Sequence, residues 1–216
     1  MRNIKFMPNK YYHLCGRGAD YQKIFCDDED FAKFMFLLLH FQSPTPINNT
    51  GYYTRSFLKT GSFRVGDKKM QEIMETRYLE VSSFVLTPNY FHILIKNLEE
   101  GVVSVYMHRV LTSYSKYFNA KYKRAGRVFD GPFEASLVKN KEQLLNTSAY
   151  IHKNLIEFDN EAVVDYEKYR WSSCGDFINT NRWGDLLSTD IIFKQFKNNS
   201  QYKNFLSTSK AKEPLF

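Results

Sequence analysis

The sequence predicts an α+β fold built on one antiparallel sheet. Runs of strand length, rich in aromatic and β-branched residues, alternate with segments that are apolar at helical spacing. Two of those runs, Tyr78 to Leu86 and Phe91 to Lys96, flank a tight Pro88-Asn89 turn and pair as a hairpin. The order is strand, helix, strand, strand, helix, strand, helix, so hairpin connections alternate with helical crossovers. That is the ferredoxin-like pattern, an antiparallel sheet with helices packed on one side. A helical C-terminal extension follows it.

Each element has a local reason. Lys10 to Cys15 is aromatic-rich and reads as the first strand, and Gly16-Arg17-Gly18-Ala19-Asp20 reads as the loop after it. Its two glycines permit a tight bend or a close approach of backbone to a ligand, but the pattern is no phosphate-loop motif. Asp27-Asp28-Glu29-Asp30 puts acids at the positive end of a helix dipole. Phe31, Phe34, Met35, Leu37, Leu38 and Phe41 then supply the apolar face. Ser43 to Gly66, rich in Pro, Asn, Thr and Gly, reads as a long loop, and Lys68 to Thr76 as a short helix; together they form an insertion over about 43–74.

Gly101 opens a long helix to about Arg124, striped by Val103, Met107, Val110, Leu111, Tyr114 and Phe118 and stopped by Gly126. Phe133 to Val138 is the fourth strand. Asn140-Lys141-Glu142 then starts a helix carrying Leu144, Leu145, Ala149, Tyr150, Ile151 and Asn154. Tyr169 to Ser173 is an aromatic turn, and Thr189 to Leu206 reads as one last helix. The expected organisation is a domain over 1–160 and an extension over 161–216 that belongs to the same globule.

With 216 residues, 43% of them hydrophobic and 17% aromatic, the chain fills a real core. The net charge of +7 suits a polyanionic partner. The charge is uneven: from Val102 to Phe129 there is no acid, while Arg109, Lys116, Lys121, Lys123, Arg124 and Arg127 fall there. Tyr106, Tyr114, Tyr117 and Tyr122 lie among these cations, a mixture that suits single-stranded nucleic acid, where bases stack and phosphates pair. The other use of such a helix is a solvated face. Cys15, Cys26 and Cys174 show no C-x-x-C spacing, which predicts reduced thiols and a cytoplasmic protein. The start Met1-Arg2-Asn3-Ile4-Lys5-Phe6 lacks the apolar run of a signal peptide, and no segment is apolar enough to span a bilayer.

The residues with chemistry lie on two elements. In Leu86-Thr87-Pro88-Asn89-Tyr90-Phe91-His92-Ile93-Leu94-Ile95, Tyr90 and His92 point to one face of a strand. That is the spacing of a pair of metal ligands, with Tyr in one of the two places. A phenol with an ordinary pKa of about 10 is neutral near pH 7 and a poor Mg²⁺ ligand. On the helix, Tyr150 and Asn154 are four apart and share a face. An activated Tyr hydroxyl is a nucleophile, and an Asn oxygen suits Mg²⁺ or Mn²⁺. The residue pattern alone favours the plainer use, with His92 and Tyr150 at the core edge and Asn154 as a helix cap. His13, His40 and His108 fall on separate segments with no ligand spacing, and His152 points away from Tyr150.

Several segments, in this order, resemble the REP-associated tyrosine transposases, a branch of the single-tyrosine HUH transposases with an IS200-like domain. They are Tyr12-His13-Leu14-Cys15-Gly16-Arg17-Gly18, Ile24-Phe25-Cys26-Asp27-Asp28, the Leu86 to Ile95 stretch, Tyr117-Phe118-Asn119, Val128-Phe129-Asp130-Gly131-Pro132-Phe133, Tyr150-Ile151-His152-Lys153-Asn154 and Tyr169-Arg170-Trp171-Ser172-Ser173. The resemblance implies metal-dependent nicking and joining of single-stranded DNA beside a hairpin, through a 5′-phosphotyrosine.

Carried over residue by residue, Tyr150 is the nucleophile, His92 the second histidine of the metal pair and Asn154 the third ligand. Tyr90 stands where the first histidine belongs. A weakened Mg²⁺ or Mn²⁺ site and slow or absent cleavage follow from that letter. Arg17, Arg109, Lys116, Lys121, Lys123, Arg124 and Arg127 are the expected DNA-binding residues, in a monomer or homodimer. Two other readings stand beside it: a binding module on the same fold with its chemistry lost through Tyr90, and an RNA-binding α+β domain.

Overall fold

The computed structural model of the protein describes residues 4–155 and 165–210. Four strands form one antiparallel sheet: β1 (Tyr11–Arg17), β2 (Leu79–Thr87), β3 (Tyr90–Asn97) and β4 (Glu134–Val138), in the order β2-β3-β1-β4. Each crossover adds a strand beside an earlier one, so the first and third strands lie at the centre, as the ferredoxin-like pattern requires. β1 and β3 are paired along their whole length, from Tyr11 opposite Lys96 to Arg17 opposite Tyr90.

Alternation along the strands separates two faces. Tyr12, Leu14, Phe84, Phe91, Ile93 and Ile95 join the larger core with helices α1 (Asp28–His40) and α4 (Val102–Lys121). α1 begins where Asp27 accepts a hydrogen bond from the Asp30 amide. α4 ends at Lys121 rather than near Arg124, because Lys123 takes a left-handed conformation with φ 49° that a helix cannot absorb. On the other face, Val85, Leu94 and Val138 pack against α5 (Lys141–Lys153) and the C-terminal helices α6 (Cys174–Ile178), α7 (Asp190–Phe193) and α8 (Asn199–Thr208). The segment expected to be one last helix is therefore two, because Asn198 turns extended and caps a new start at Asn199. The expected boundary at 160/161 falls outside the described residues.

The insertion carries its expected short helix as α3 (Asp67–Glu75), but the stretch expected as a long loop holds a helix too, α2 (Thr50–Thr60). The Ser, Thr and Gly content hides a short apolar face: Tyr53 stacks on Phe36 at 5.3 Å, and buried Phe57 and Phe63 lie 4.6 Å apart against Trp183. Gly61, at φ 73°, then ends α2 as a left-handed cap. This explains why α1 is buried on nearly every side from Asp30 to His40: the sheet covers one flank and the insertion the other. Burying Phe57 and Phe63 contributes about 2 kcal/mol each.

The aromatic turn closes the edge of the sheet. Ser172 bridges to Val85 on β2, and the Leu86 amide donates to the Trp171 carbonyl. No helix among the described residues is long and apolar enough to cross a membrane.

Candidate functional site

Strand register builds the site. On the α5 side of the sheet, Cys15 lies opposite both His92 and Glu134, and Arg17 lies opposite Tyr90. α5 crosses this face over β2 and β3, tied down by a bond between the hydroxyls of Ser83 and Ser148. Tyr150 and Asn154 thereby arrive above His92, on the shared helix face that their spacing predicts. A cleft of about 420 Å³ opens here, lined by Arg17, Tyr21, Tyr90, His92, Tyr150 and Asn154 together with the carboxylates of Asp130 and Glu134.

A chain of hydrogen bonds runs across its floor. The Tyr90 hydroxyl donates to the backbone oxygen of Asn154 at 2.7 Å and to its Oδ1 at 2.8 Å. The Asn154 amide, so oriented, offers Nδ2 to His92 Nε2 at 3.3 Å. His92 Nε2 then acts as acceptor, and its Nδ1 donates to His13 Nε2 at 2.9 Å. The two imidazoles stack with ring centres 5.0 Å apart, and the Tyr150 ring stands edge-on to both, at 5.5 Å from His92 and 5.9 Å from His13. Burial pushes His92 down to about 3. It also holds His13 well below the ordinary histidine range, reinforced by its neighbour His92.

His13 is the residue that sequence reasoning missed. It alternates with Cys15 and Arg17 along β1, so its face was legible; its contact with His92 needs the β1–β3 register, which no spacing encodes. His152 points away from Tyr150 as expected, to Tyr202 and Ser173.

The expected metal ligands do not fit a divalent ion as they are arranged. Tyr90 is a neutral phenol whose proton is directed at Asn154. Asn154 spends its oxygen on that phenol and turns an amide nitrogen, which has no lone pair to give, towards His92. His92 Nε2 is then the single nitrogen donor left of the three. No cluster of three or more His, Cys, Asp or Glu able to hold a metal exists among the described residues. Mg²⁺ and Mn²⁺ sites need several converging oxygens.

The cations of the basic helix and the turn after it divide into paired and exposed ones. Lys121 is gripped by Asp27 at 2.7 Å and by the fully buried Asp30 at 2.8 Å. Arg109 donates to the Ser43 carbonyl and the Tyr78 hydroxyl, and Arg124 to Gln22 and the Arg127 carbonyl. Tyr106 and Tyr114 are buried and bond to the carbonyls of Leu38 and Ile24; Tyr117 and Tyr122 bond to Asp30. The aromatics between these cations hold the fold together and leave no row of rings for bases. Lys116, Lys123 and Arg127 are exposed. Of the seven expected DNA-binding residues, Arg17 is the one that lines the cleft.

Two glycines shape the mouth. A side chain at Gly16 would strike the Phe91 ring at 2.7 Å, and one at Gly18 would meet the Gln22 carbonyl oxygen at 2.1 Å. β1 runs on through Gly16 and Arg17, which the sequence placed in the loop, so the strand end lies hard against Phe91 of β3 and the chain folds back on itself from Gly18.

Comparison with known families decides what this arrangement is similar to. Residues 52–154 match the family described as "Transposase IS200 like". Over that stretch the chain is similar to IS200-like transposases. The match takes in Tyr90, His92 and Tyr150 and ends on Asn154, leaving β1 with His13 outside it. Among solved structures, a REP-associated tyrosine transposase bound to a REP hairpin aligns over 100% of this chain and 98% of its own, at 10% identity and a TM-score of 0.54. At that identity the likeness establishes the fold. No curated protein matches the chain.

Proposed function

We propose that this transposase-type protein binds single-stranded or hairpin DNA in the cleft above β1 and β3, and that its strand cleavage is impaired at Tyr90. The observation that carries the reading is the bond from Tyr90 to Asn154 inside the cleft. The site keeps the position and the approach of the expected nucleophile while its expected ligands are joined to one another. The family of the domain supports DNA processing, and the net charge of +7 and Arg17 in the cleft suit a nucleic acid.

The chemistry in question is a phosphoryl transfer. The Tyr150 oxygen forms a bond to a DNA phosphorus, the bond to the 3′ oxygen breaks, and the phenolic proton ends on that oxygen as the free 3′-hydroxyl. Charge developing on the phosphate needs compensation. Arg17 is the nearest expected cation, and it already bonds Asp130 at 2.9 Å. Cleavage without further help is slow on this account, and binding is the retained activity.

An anisotropy titration with a labelled DNA hairpin bearing a single-stranded tail tests the reading. Tighter binding to it than to blunt duplex or to the matching RNA hairpin is expected. Equal affinity for blunt duplex, or a preference for RNA, contradicts it. A second reading, a working nicking enzyme, draws on Tyr150 lining the cleft. A covalent adduct that disappears in Tyr150→Phe would favour it.

A further inference from the structure

We infer that Tyr21 is a stacking platform for one unpaired base of the bound strand, at the rim of the cleft. The inference rests on the proposed binding of single-stranded or hairpin DNA there, and adds the residue that receives a base.

Tyr21 is 67% exposed, the most exposed large hydrophobic side chain among the described residues, and it lines the cleft. The other widely exposed aromatic, Tyr52, lies on α2, in the insertion and away from the cleft lining. A single exposed ring is ordinary on a protein surface; this one stands at the rim of the cleft, where a planar partner can cover it.

The ring is also held. The Arg17 guanidinium lies 4.4 Å from its centre and donates to its hydroxyl at 2.8 Å. Arg17 is in turn fixed by Asp130 through Nε at 3.0 Å and Nη2 at 2.9 Å. With its charge met by a carboxylate, Arg17 serves to orient the ring more than to seize a phosphate. One face of Tyr21 carries the guanidinium and the other is open to a base, giving a stack of cation, phenol and base.

The backbone is unusual at this spot. Asp20 and Tyr21 are consecutive non-glycine residues in the left-handed region, at φ 52° and 57°. Surrounding bonds enforce it: Gly18 N–H to the Asn89 carbonyl, Ala19 N–H to the Val128 carbonyl, and Gln22 bridging Val128 and Arg124. Strain kept by so many contacts belongs to positions where a side chain must be aimed. The direction chosen is outward, over the cleft.

The test uses the full chain and a DNA hairpin whose single-stranded tail carries 5-iodouracil at one position at a time, a base that photocrosslinks to aromatic rings in stacking contact. Crosslinking at one tail position, mapped by mass spectrometry to Tyr21, is the expected result. Tyr21→Ala is expected to weaken binding of the tailed hairpin about ten-fold, the size of one base–aromatic stack, while Tyr21→Phe, which keeps the ring, restores most of it. Full binding by Tyr21→Ala, with crosslinks on other residues, overturns the platform and leaves the proposed cleft binding intact. Failure of the unmodified chain to bind any tailed hairpin or single strand overturns both.

Discussion

The hydroxyl of Tyr90 donates to both oxygens of Asn154, at 2.7 Å and 2.8 Å, and so joins two residues whose counterparts in a metal site would each face an ion. A metal ligand presents a lone pair to a shared centre. Here a donor and an acceptor satisfy one another, and His92 accepts from the same amide. The exchange of a ligand for a phenol thus reorganises the neighbours as well as the position itself.

Removing the hydroxyl with Tyr90→Phe is expected to cost about 1 kcal/mol, the net worth of a hydrogen bond, and to lower the melting temperature by about 3 °C. Differential scanning calorimetry checks it. Tyr90→His places a second imidazole two residues from His92 and frees the Asn154 oxygen, so titration calorimetry should find tighter Mn²⁺ binding than in the unmodified chain. No gain would mean that position 90 does not aim its side chain as β3 requires.

Lys121 is expected to matter for folding and little for DNA. Burial works against its ammonium, yet the hydrogen bonds of Asp27 and Asp30 hold its pKa above the ordinary lysine range. Lys121→Met leaves the fully buried Asp30 carboxylate without its cation, at a cost of about 3 kcal/mol in denaturant unfolding. The salt dependence of DNA binding should not change. A flatter salt slope in this variant would show that the strand runs along α4.

His40 gives a pH signature. It lies against Phe36 and Phe63 inside the core, bonds the Phe36 carbonyl, and is held by burial at about 4. Its folded pKa is below its unfolded value of about 6.5, so the unfolded chain takes up the proton first. Its contribution is complete above pH 6.5 and is lost as pH falls towards 4, by about 3 kcal/mol in all. Urea midpoints followed over that window should fall less steeply in His40→Leu than in the unmodified chain. Parallel curves would remove His40 from the acid response.

At Gly18 the cost is steric. A methyl group there meets backbone, the Gln22 carbonyl oxygen at 2.1 Å, which no side-chain rotation relieves. Gly18→Ala should displace the loop that carries Tyr21 and weaken binding of a tailed hairpin about ten-fold, while circular dichroism of the sheet and helices stays unchanged. Undiminished binding would mean that the loop has no part in holding DNA.

The sequence made the local features readable and left the long-range ones hidden. Period-2 and period-3.6 patterns placed β1 to β4, α1, α4 and α5, and the four-residue spacing put Tyr150 and Asn154 on one helix face. The helix in the insertion was obscured because Thr50, Gly51, Thr54 and Ser56 dilute the face made by Tyr53 and Phe57. The contact of His13 with His92 depends on register between strands 79 residues apart. The neutralisation of Lys121 depends on α1 and α4 lying side by side, since its acids come from the start of α1. A run of cations without acids in sequence can be partly paired in space, as Lys121 is here.

The most direct measurement of the central claim is a denaturing-gel assay for a covalent protein–DNA adduct, run with Mn²⁺ and a labelled tailed hairpin on three proteins: the unmodified chain, Tyr90→His, and Tyr90→His combined with Tyr150→Phe. The account predicts bound DNA without an adduct for the unmodified chain, an adduct for Tyr90→His, and its loss when Tyr150 is also replaced. An adduct formed by the unmodified chain as fast as by Tyr90→His would contradict it, because the Tyr90–Asn154 bond would then be no obstacle to cleavage.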